Sequence, residues 1–276
     1  MTIDNESPSG AWKTEMERMP WKFQQEESVG AALSQLRLRG MSKEADILTQ
    51  KINAQQAELE SRLQVAARTA VDPGDGKMNI LGLFPTPVGI CDLGRDLTKE
   101  EISFITSLNR RPNTFNQTSV DTYVLKEEPM KALQEFFIEK VNDYFNLMYA
   151  PKSDLKLQIT QSWINYTSKG GSHHKHTHPN SFVSGVFYIK ADSEKDRITF
   201  YDGETRQITF NRSNFNIYNS DHWWLSVKTG TLLLFPSTFM HSVDVVNHEE
   251  ERISLSFNTF FKGTLGFDKE LTELVL

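Results

Sequence analysis

Five of the seven histidines are placed where they could serve one metal ion. His173, His174, His176 and His178 fall within six positions, and His241 follows 63 residues after His178. On an extended strand, residues two apart project to the same face. His176 and His178 could therefore bring two imidazoles to one ion at about 2.0–2.1 Å. His241 stands just beyond the apolar run Leu232-Leu233-Leu234-Phe235-Pro236 and could add a third ligand from a remote strand. Two near ligands and one distant ligand leave coordination positions open on one side, as in a catalytic rather than a closed structural site. Taken without His241, the cluster reads equally well as a solvated polar tract.

A second candidate lies eleven residues after His241. Arg252-Ile253-Ser254-Leu255-Ser256-Phe257-Asn258 alternates strictly, with Arg252, Ser254, Ser256 and Asn258 on one face and the apolar residues on the other. A polar strand face either meets water or lines a polar pocket. In a pocket, a guanidinium with a hydroxyl two residues on can clamp a carboxylate. Trp163 and Asn258 flank that expected pocket and could touch a substrate, or pack as ordinary strand residues. His222-Trp223-Trp224 could form a lid, although strand aromatics usually belong to core or sheet surface. His248, among Glu249, Glu250 and Glu251, reads as a solvated turn. Gly170-Gly171 lacks the Lys-Ser/Thr of a phosphate loop, and no Gly-x-Ser-x-Gly elbow supports a serine hydrolase.

These residues need a scaffold, and the chain changes character near residue 78. Residues 1–78 read as a helical arm and linker. Ser28–Leu38 ends at Gly40, Ser42 can cap a second helix, and Ala45, Leu48, Ile52, Leu59, Leu63 and Ala66 form a narrow apolar stripe. Such a hairpin buries little alone, so it must lean on the second part of the chain or, through residues 26–70, on a protein partner or a second copy. Residues 79–276 form the second part. Ile80–Val88 is an apolar strand broken by Pro85 and Pro87. Thr98 opens a short helix through Leu108, and Glu127–Tyr149 is a helix with one apolar face. Strands are then expected at Leu157–Tyr166, Phe182–Lys190, Arg197–Tyr201, Gln207–Phe210, Asn214–Tyr218, Trp223–Lys228, Thr231–Phe235, His241–Val246 and Arg252–Phe261. Many short strands with turns every 8–12 residues predict a mainly β barrel or jelly roll with packed helices.

Composition narrows the function classes. With 276 residues, 38% hydrophobic, 18 Phe and 5 Trp, the chain can bury a sizeable core. No run approaches the ~18–20 apolar residues of a membrane span. Met1–Gly10 has neither a basic start nor an apolar stretch, so no secretory signal is expected. A single cysteine, Cys91, excludes an intramolecular disulfide and suits a reducing compartment. A net charge of −6 provides no footprint for duplex DNA or an anionic membrane.

Several motifs in order resemble the iron(II)/2-oxoglutarate-dependent oxygenases, nearest the bacterial and phage 2OG-Fe(II) oxygenases related to prolyl 4-hydroxylases. The likeness lies in Leu83-Phe84-Pro85-Thr86-Pro87-Val88, Trp163 to Tyr166, His176-Thr177-His178-Pro179-Asn180-Ser181, Ser184 to Ile189, Gly230 to Val243 and Glu251 to Asn258. It covers about residues 80–262 and excludes the helical arm. It implies a double-stranded β-helix (jelly roll, cupin-like) that binds Fe(II), with 2-oxoglutarate as cosubstrate and O2 as oxidant. His176 and His241 match metal ligands. Arg252 matches the partner of the cosubstrate's far carboxylate, with Ser254 beside it. Tyr166 and Tyr188 match tyrosines that contact the cosubstrate.

One departure bears on mechanism. The superfamily pattern is His-x-Asp, whereas this chain has His176-Thr177-His178. His178 in the carboxylate's place makes a three-histidine site. Asp202, Asp221 or Asp244 as substitute ligand, or a shift to His174 with His176, are the alternatives. The resemblance implies an enzyme hydroxylating an unactivated C–H bond, of a peptidyl proline, another protein side chain or a small amino-acid-like substrate. The alternative is a non-catalytic oxygenase-like jelly roll docked by its helical arm into a larger assembly such as a phage particle. A three-histidine dioxygenase independent of 2-oxoglutarate is a third reading. No nucleic-acid or membrane partner is expected, and the expected location is the cytoplasm, or host cytoplasm or virion if phage-encoded.

Overall fold

The structure is a computed structural model. It describes residues 82–151, 155–203, 208 and 210–276, together with residues 37, 40, 42, 43, 46, 47, 49, 50 and 78. The expected arm, its capped helices and its role in association lie almost wholly outside the described residues, as do Ile80 and Leu81. Residues Gly82–Leu276 form one compact unit.

That unit begins with strand β1 (Gly89–Asp92) and helix α1 (Lys99–Ser107), followed by the short strands β2 (Arg110–Pro112) and β3 (Gln117–Ser119). Helix α2 (Lys131–Tyr149) leads into β4 (Lys156–Thr167), β5 (His173–His176), β6 (Val183–Lys190), β7 (Arg197–Tyr201) and β8 (His222–Ser226). The core closes with β9 (Thr231–Pro236), β10 (His241–Val243) and β11 (Arg252–Lys262), and a small hairpin β12 (Thr264–Leu265) and β13 (Leu274–Val275) follows. Seven strands make one sheet in the order β1-β9-β6-β11-β4-β3-β2, and four make another in the order β5-β10-β7-β8. From β4 to β11 the chain passes back and forth between the sheets, leaving β7 and β8 as a hairpin within the smaller one. This alternation is the double-stranded β-helix, and the fold is a jelly roll with helices packed on it.

The two-residue period of the strands sorts side chains between two cores. On β6 and β9, Phe187, Ile189, Leu232 and Leu234 point outward to Leu133, Phe137 and Val141 of α2. Val186, Tyr188, Leu233 and Phe235 point inward to Ile198 and Phe200 of β7. The outer layer is aromatic, with Phe137 stacked on Phe257 at 5.2 Å and packed against Phe187 at the same centroid distance. Gly185 makes this possible, because a Cβ there would lie 2.1 Å from the Phe257 ring. Helix α1 starts with a reciprocal cap: Glu101 N–H donates to Thr98 Oγ1 (3.1 Å) and Thr98 N–H donates to Glu101 Oε2 (2.7 Å). Arg95 adds a two-pronged pair to the buried Glu101 carboxylate, at 2.6 and 2.9 Å.

The fold departs from the sequence expectations in several places. Residues 82–88 are not a strand, since Pro85 and Pro87 offer no N–H to a ladder, and pairing starts at Gly89. Asn214–Tyr218 is a turn region instead of a strand. There Asn216 Oδ1 accepts from Tyr218 N–H and Asn219 N–H, and side-chain acceptors of this kind compete with ladder pairing. Ile208 and Phe210 are outside strands too, while Gln207 and Thr209 are not among the described residues. The long helix is preceded by a 3₁₀ turn, Glu128–Met130, because Pro129 suits a first turn. Strand β10 is shorter than expected, and β2, β3, β12 and β13 are too short for a pattern to announce them.

Candidate metal and carboxylate site

The larger sheet presents a polar face to the interior of the jelly roll. Opposite residues on paired strands share a face, so the register defines it. Asn165 of β4, Ser254 of β11 and Tyr188 of β6 form one row, and Trp163, Ser256 and Val186 form the next. Gln161, Asn258 and Ser184 make the row beyond, and Arg252 lies opposite Thr167 at the other end. The polar face read from Arg252–Asn258 thus turns into the jelly roll rather than out to water: Arg252 is 3% exposed, Ser256 is buried, and Asn258 lines an open cleft.

The histidines come from the smaller sheet. His241 on β10 is directly opposite His176 on β5. His178 lies two residues past the end of β5, so strand alternation does not place it. Its N–H donates to Ser237 O at 2.9 Å, and Asn180 turns the chain with φ 56°. Even so, the ring nitrogens of His176, His178 and His241 come within 4.8 Å of one another. Among the described residues, this is the only such convergence of three metal-ligating side chains.

Each ring has one nitrogen already occupied. Nδ1 of His176 faces His174 O at 2.7 Å, Nδ1 of His241 faces Phe239 O at 2.9 Å, and Nδ1 of His178 faces Asn258 Oδ1 at 2.6 Å. Carbonyl oxygens only accept, so a neutral ring must carry its proton on Nδ1. That leaves the Nε2 lone pairs for an ion, the usual arrangement around metal-bound histidine. Burial drives the rings to this neutral form. It depresses His241 to about 3, helped by His176, and His178 to about 4, against the opposing bond from Asn258. His176 is lowered by burial as well. The donor set therefore fits a divalent cation without prior loss of a proton at neutral pH.

The competing ligand assignments do not converge. The ring of His174 lies outside the group, tilted against the His176 ring at 5.1 Å, and its backbone carbonyl serves His176. Asp244 accepts from Thr199 Oγ1 at 3.0 Å and lies 3.5 Å from Arg197 Nε, and Asp221 is exposed beside His222. Asp202 is not in the group either.

The expected carboxylate clamp divides. Arg252, Ser254 and Tyr188 share the inner face. Tyr188 is fully buried, and its hydroxyl, like the buried Asn165 Oδ1, has no protein partner. A buried hydroxyl without a partner is costly, and an anionic ligand beside Arg252 would satisfy it. Tyr166 does not belong here. It projects to the outer face, where its hydroxyl donates to Ile105 O at 2.5 Å and the Arg110 guanidinium covers its ring at 3.6 Å. One residue of offset along β4 places it on the wrong side of the sheet. Asn258 orients His178, and Trp163 stacks on the His178 ring at 5.9 Å. Both also line an open cleft of about 590 Å³ with His173, His174, His176, His178, Gln161 and Arg111. Trp223 and Trp224 lie on the edge strand β8 and do not line it.

Two residues escaped sequence reading. Asp196, 2% exposed, lies 3.4 Å from Arg252 Nη1. His248 is not a solvated turn residue: its side chain is largely buried, with Nε2 3.4 Å from the same Asp196 oxygen. No periodicity marks either one.

Residues 161–258 match the family described as "Putative 2OG-Fe(II) oxygenase". No curated protein matches the chain. Among solved structures, the chain is similar to a 2OG-Fe(II) oxygenase family oxidoreductase from Burkholderia pseudomallei, at 15% identity over 57% of this chain and 74% of that one, TM-score 0.43. It is similar to HygX from Streptomyces hygroscopicus, solved with nickel, 2-oxoglutarate and hygromycin B, at 13% identity over 63% and 82%, TM-score 0.46. A prolyl-4-hydroxylase from Pseudomonas putida overlaps at 12% identity over 63% and 92%, TM-score 0.41.

Proposed function

From the family match over residues 161–258, we propose that the protein is an Fe(II)- and 2-oxoglutarate-dependent oxygenase that hydroxylates an unactivated C–H bond. The observation that carries this reading is the convergence of ring nitrogens of His176, His178 and His241 within 4.8 Å of one another, with Arg252 on the inner face of the same jelly roll. His176, His178 and His241 would hold the iron. Arg252, Ser254 and Tyr188 would hold the far carboxylate of 2-oxoglutarate by charge and hydroxyl donors. When bound, iron with 2-oxoglutarate and O2 supplies the oxidation, yielding succinate, CO2 and the hydroxylated product.

The chain's own part is positioning, electronic tuning and exclusion of water. The Nδ1 acceptors fix the three rings in orientation and tautomer. Three neutral imidazoles leave the ion at 2+, and a dianionic cosubstrate brings one negative charge to the ion and one to Arg252. His178 in place of a carboxylate therefore couples iron retention to cosubstrate binding. Phe235 and Phe200 pack against the His241 ring, with centroids 4.7 and 6.1 Å away, and keep that side of the histidine group apolar. The cleft edged by Trp163, Gln161 and Arg111 opens outward, which suits a protein side chain or a small amino-acid-like molecule presented from solvent.

The test is Fe(II)-dependent conversion of 2-oxoglutarate to succinate. Wild type is expected to turn over, His241→Ala and His176→Ala to lose iron, and Arg252→Ala to lose 2-oxoglutarate affinity while keeping iron. Full turnover in Arg252→Ala would overturn the cosubstrate assignment. His178→Asp removes the ring that Asn258 and Trp163 hold, so weaker iron binding without a gain in turnover is expected.

A further inference from the structure

A buried cation usually needs a buried partner, and in this chain Arg252 has one of its own. Asp196 Oδ1 stands 3.4 Å from Arg252 Nη1, and both side chains are at most 3% exposed. The distance is long for a charge-assisted bond, which settles near 2.7–2.9 Å. The reason lies in how Asp196 is anchored. Its Oδ2 accepts from Asp192 N–H at 2.9 Å, its N–H donates to Asp192 O at 2.7 Å, and its carbonyl accepts from Val227 N–H at 3.1 Å. The turn, rather than the guanidinium, determines where this carboxylate sits. Its other oxygen is shared with His248 Nε2, also at 3.4 Å, and Arg252 Nη1 completes its contacts on Asp244 O at 3.3 Å.

Resting on the oxygenase reading, we infer that Asp196 is a positioning residue that stands in for the cosubstrate's far carboxylate, partly neutralising Arg252 until 2-oxoglutarate arrives. Its loose hold keeps the buried guanidinium from being an uncompensated charge in the ligand-free protein, a state that otherwise destabilises the fold strongly. The same hold opposes the incoming carboxylate, so Asp196 sets an upper limit on 2-oxoglutarate affinity. His248 moderates that limit by drawing on the same oxygen.

The experiment is calorimetric titration of the full-length, Ni(II)-loaded protein, in which no turnover occurs. The ligands are 2-oxoglutarate and 2-oxobutyrate, which lacks the far carboxylate. Asp196→Asn is expected to bind 2-oxoglutarate about tenfold more tightly, roughly the worth of one charge-assisted bond, with 2-oxobutyrate unchanged. Its melting temperature should be lower without 2-oxoglutarate and rise further with it than in wild type. His248→Leu leaves the Asp196 oxygen to Arg252 alone, so its Kd for 2-oxoglutarate should rise about threefold. If Asp196→Asn does not fold, His248→Leu decides. An unchanged or weaker 2-oxoglutarate Kd in Asp196→Asn, or equal changes for both ligands, overturns the inference while leaving the oxygenase reading intact. An unchanged Kd in His248→Leu does the same. Wild-type protein that takes up Ni(II) but no 2-oxoglutarate overturns that reading itself, and this inference with it.

Discussion

Asn258 Oδ1 on β11 accepts the Nδ1 hydrogen of His178 at 2.6 Å, across 80 residues of sequence and from the loop that follows β5. His178 has left its strand, so this bond and the Trp163 stack are what aim its ring.

Asn258→Ala should therefore weaken metal binding by about 10–100-fold, the usual cost of removing such an orienting partner. The far-ultraviolet circular dichroism should not change. Titration with Ni(II) checks it, and an unchanged affinity would mean that His178 is held by its backbone alone.

The two tyrosines should behave oppositely. Tyr166→Phe removes a bond to Ile105 O on the outer face and should cost about 1 kcal/mol of stability, with no change in 2-oxoglutarate affinity. Tyr188→Phe removes a hydroxyl that lacks a protein partner. It should leave the ligand-free protein as stable or more so, and weaken 2-oxoglutarate several-fold. Denaturant melts and calorimetry on both variants separate the two effects.

Acid should loosen the start of α1. Burial raises the Glu101 carboxyl, but the Arg95 pair and the Thr98 N–H outweigh it and hold Glu101 below its usual value near 4.5. A depressed folded-state value stabilises the protein above the unfolded-state value and loses that stability as pH falls through the folded one. Urea melts from pH 6 down to pH 3 should show wild type losing stability below about pH 4.5. Glu101→Gln should be less stable at pH 7 by about 1–3 kcal/mol, and the gap should close toward pH 3.

Gly185→Ala should destabilise by about 1–3 kcal/mol or more, because the new methyl meets the Phe257 ring. A reduced melting temperature is expected. The Phe257→Leu background should restore part of it, since the smaller side chain leaves room.

The periodic features of this protein were legible from its residues. The alternation of Arg252–Asn258, the apolar strands Leu232–Phe235 and Val183–Ile189, and the Thr98-to-Glu101 cap all depend on neighbours in sequence, which composition and spacing encode directly. His241 was expected from a remote strand, whereas the structure supplies it from β10, the direct neighbour of β5 in the same sheet. Other features depended on where distant segments meet. Tyr166 is one residue away from the inner face, and only the β4–β11 register decides its side. Pro85, Pro87 and the asparagines of the 214–219 turn overrode local strand preference through missing donors and competing acceptors. Asp196 and His248 carry no pattern, yet Asp196 meets both Arg252 and His248, because a buried guanidinium requires a buried carboxylate. That requirement is three-dimensional, and only packing determines which residue meets it.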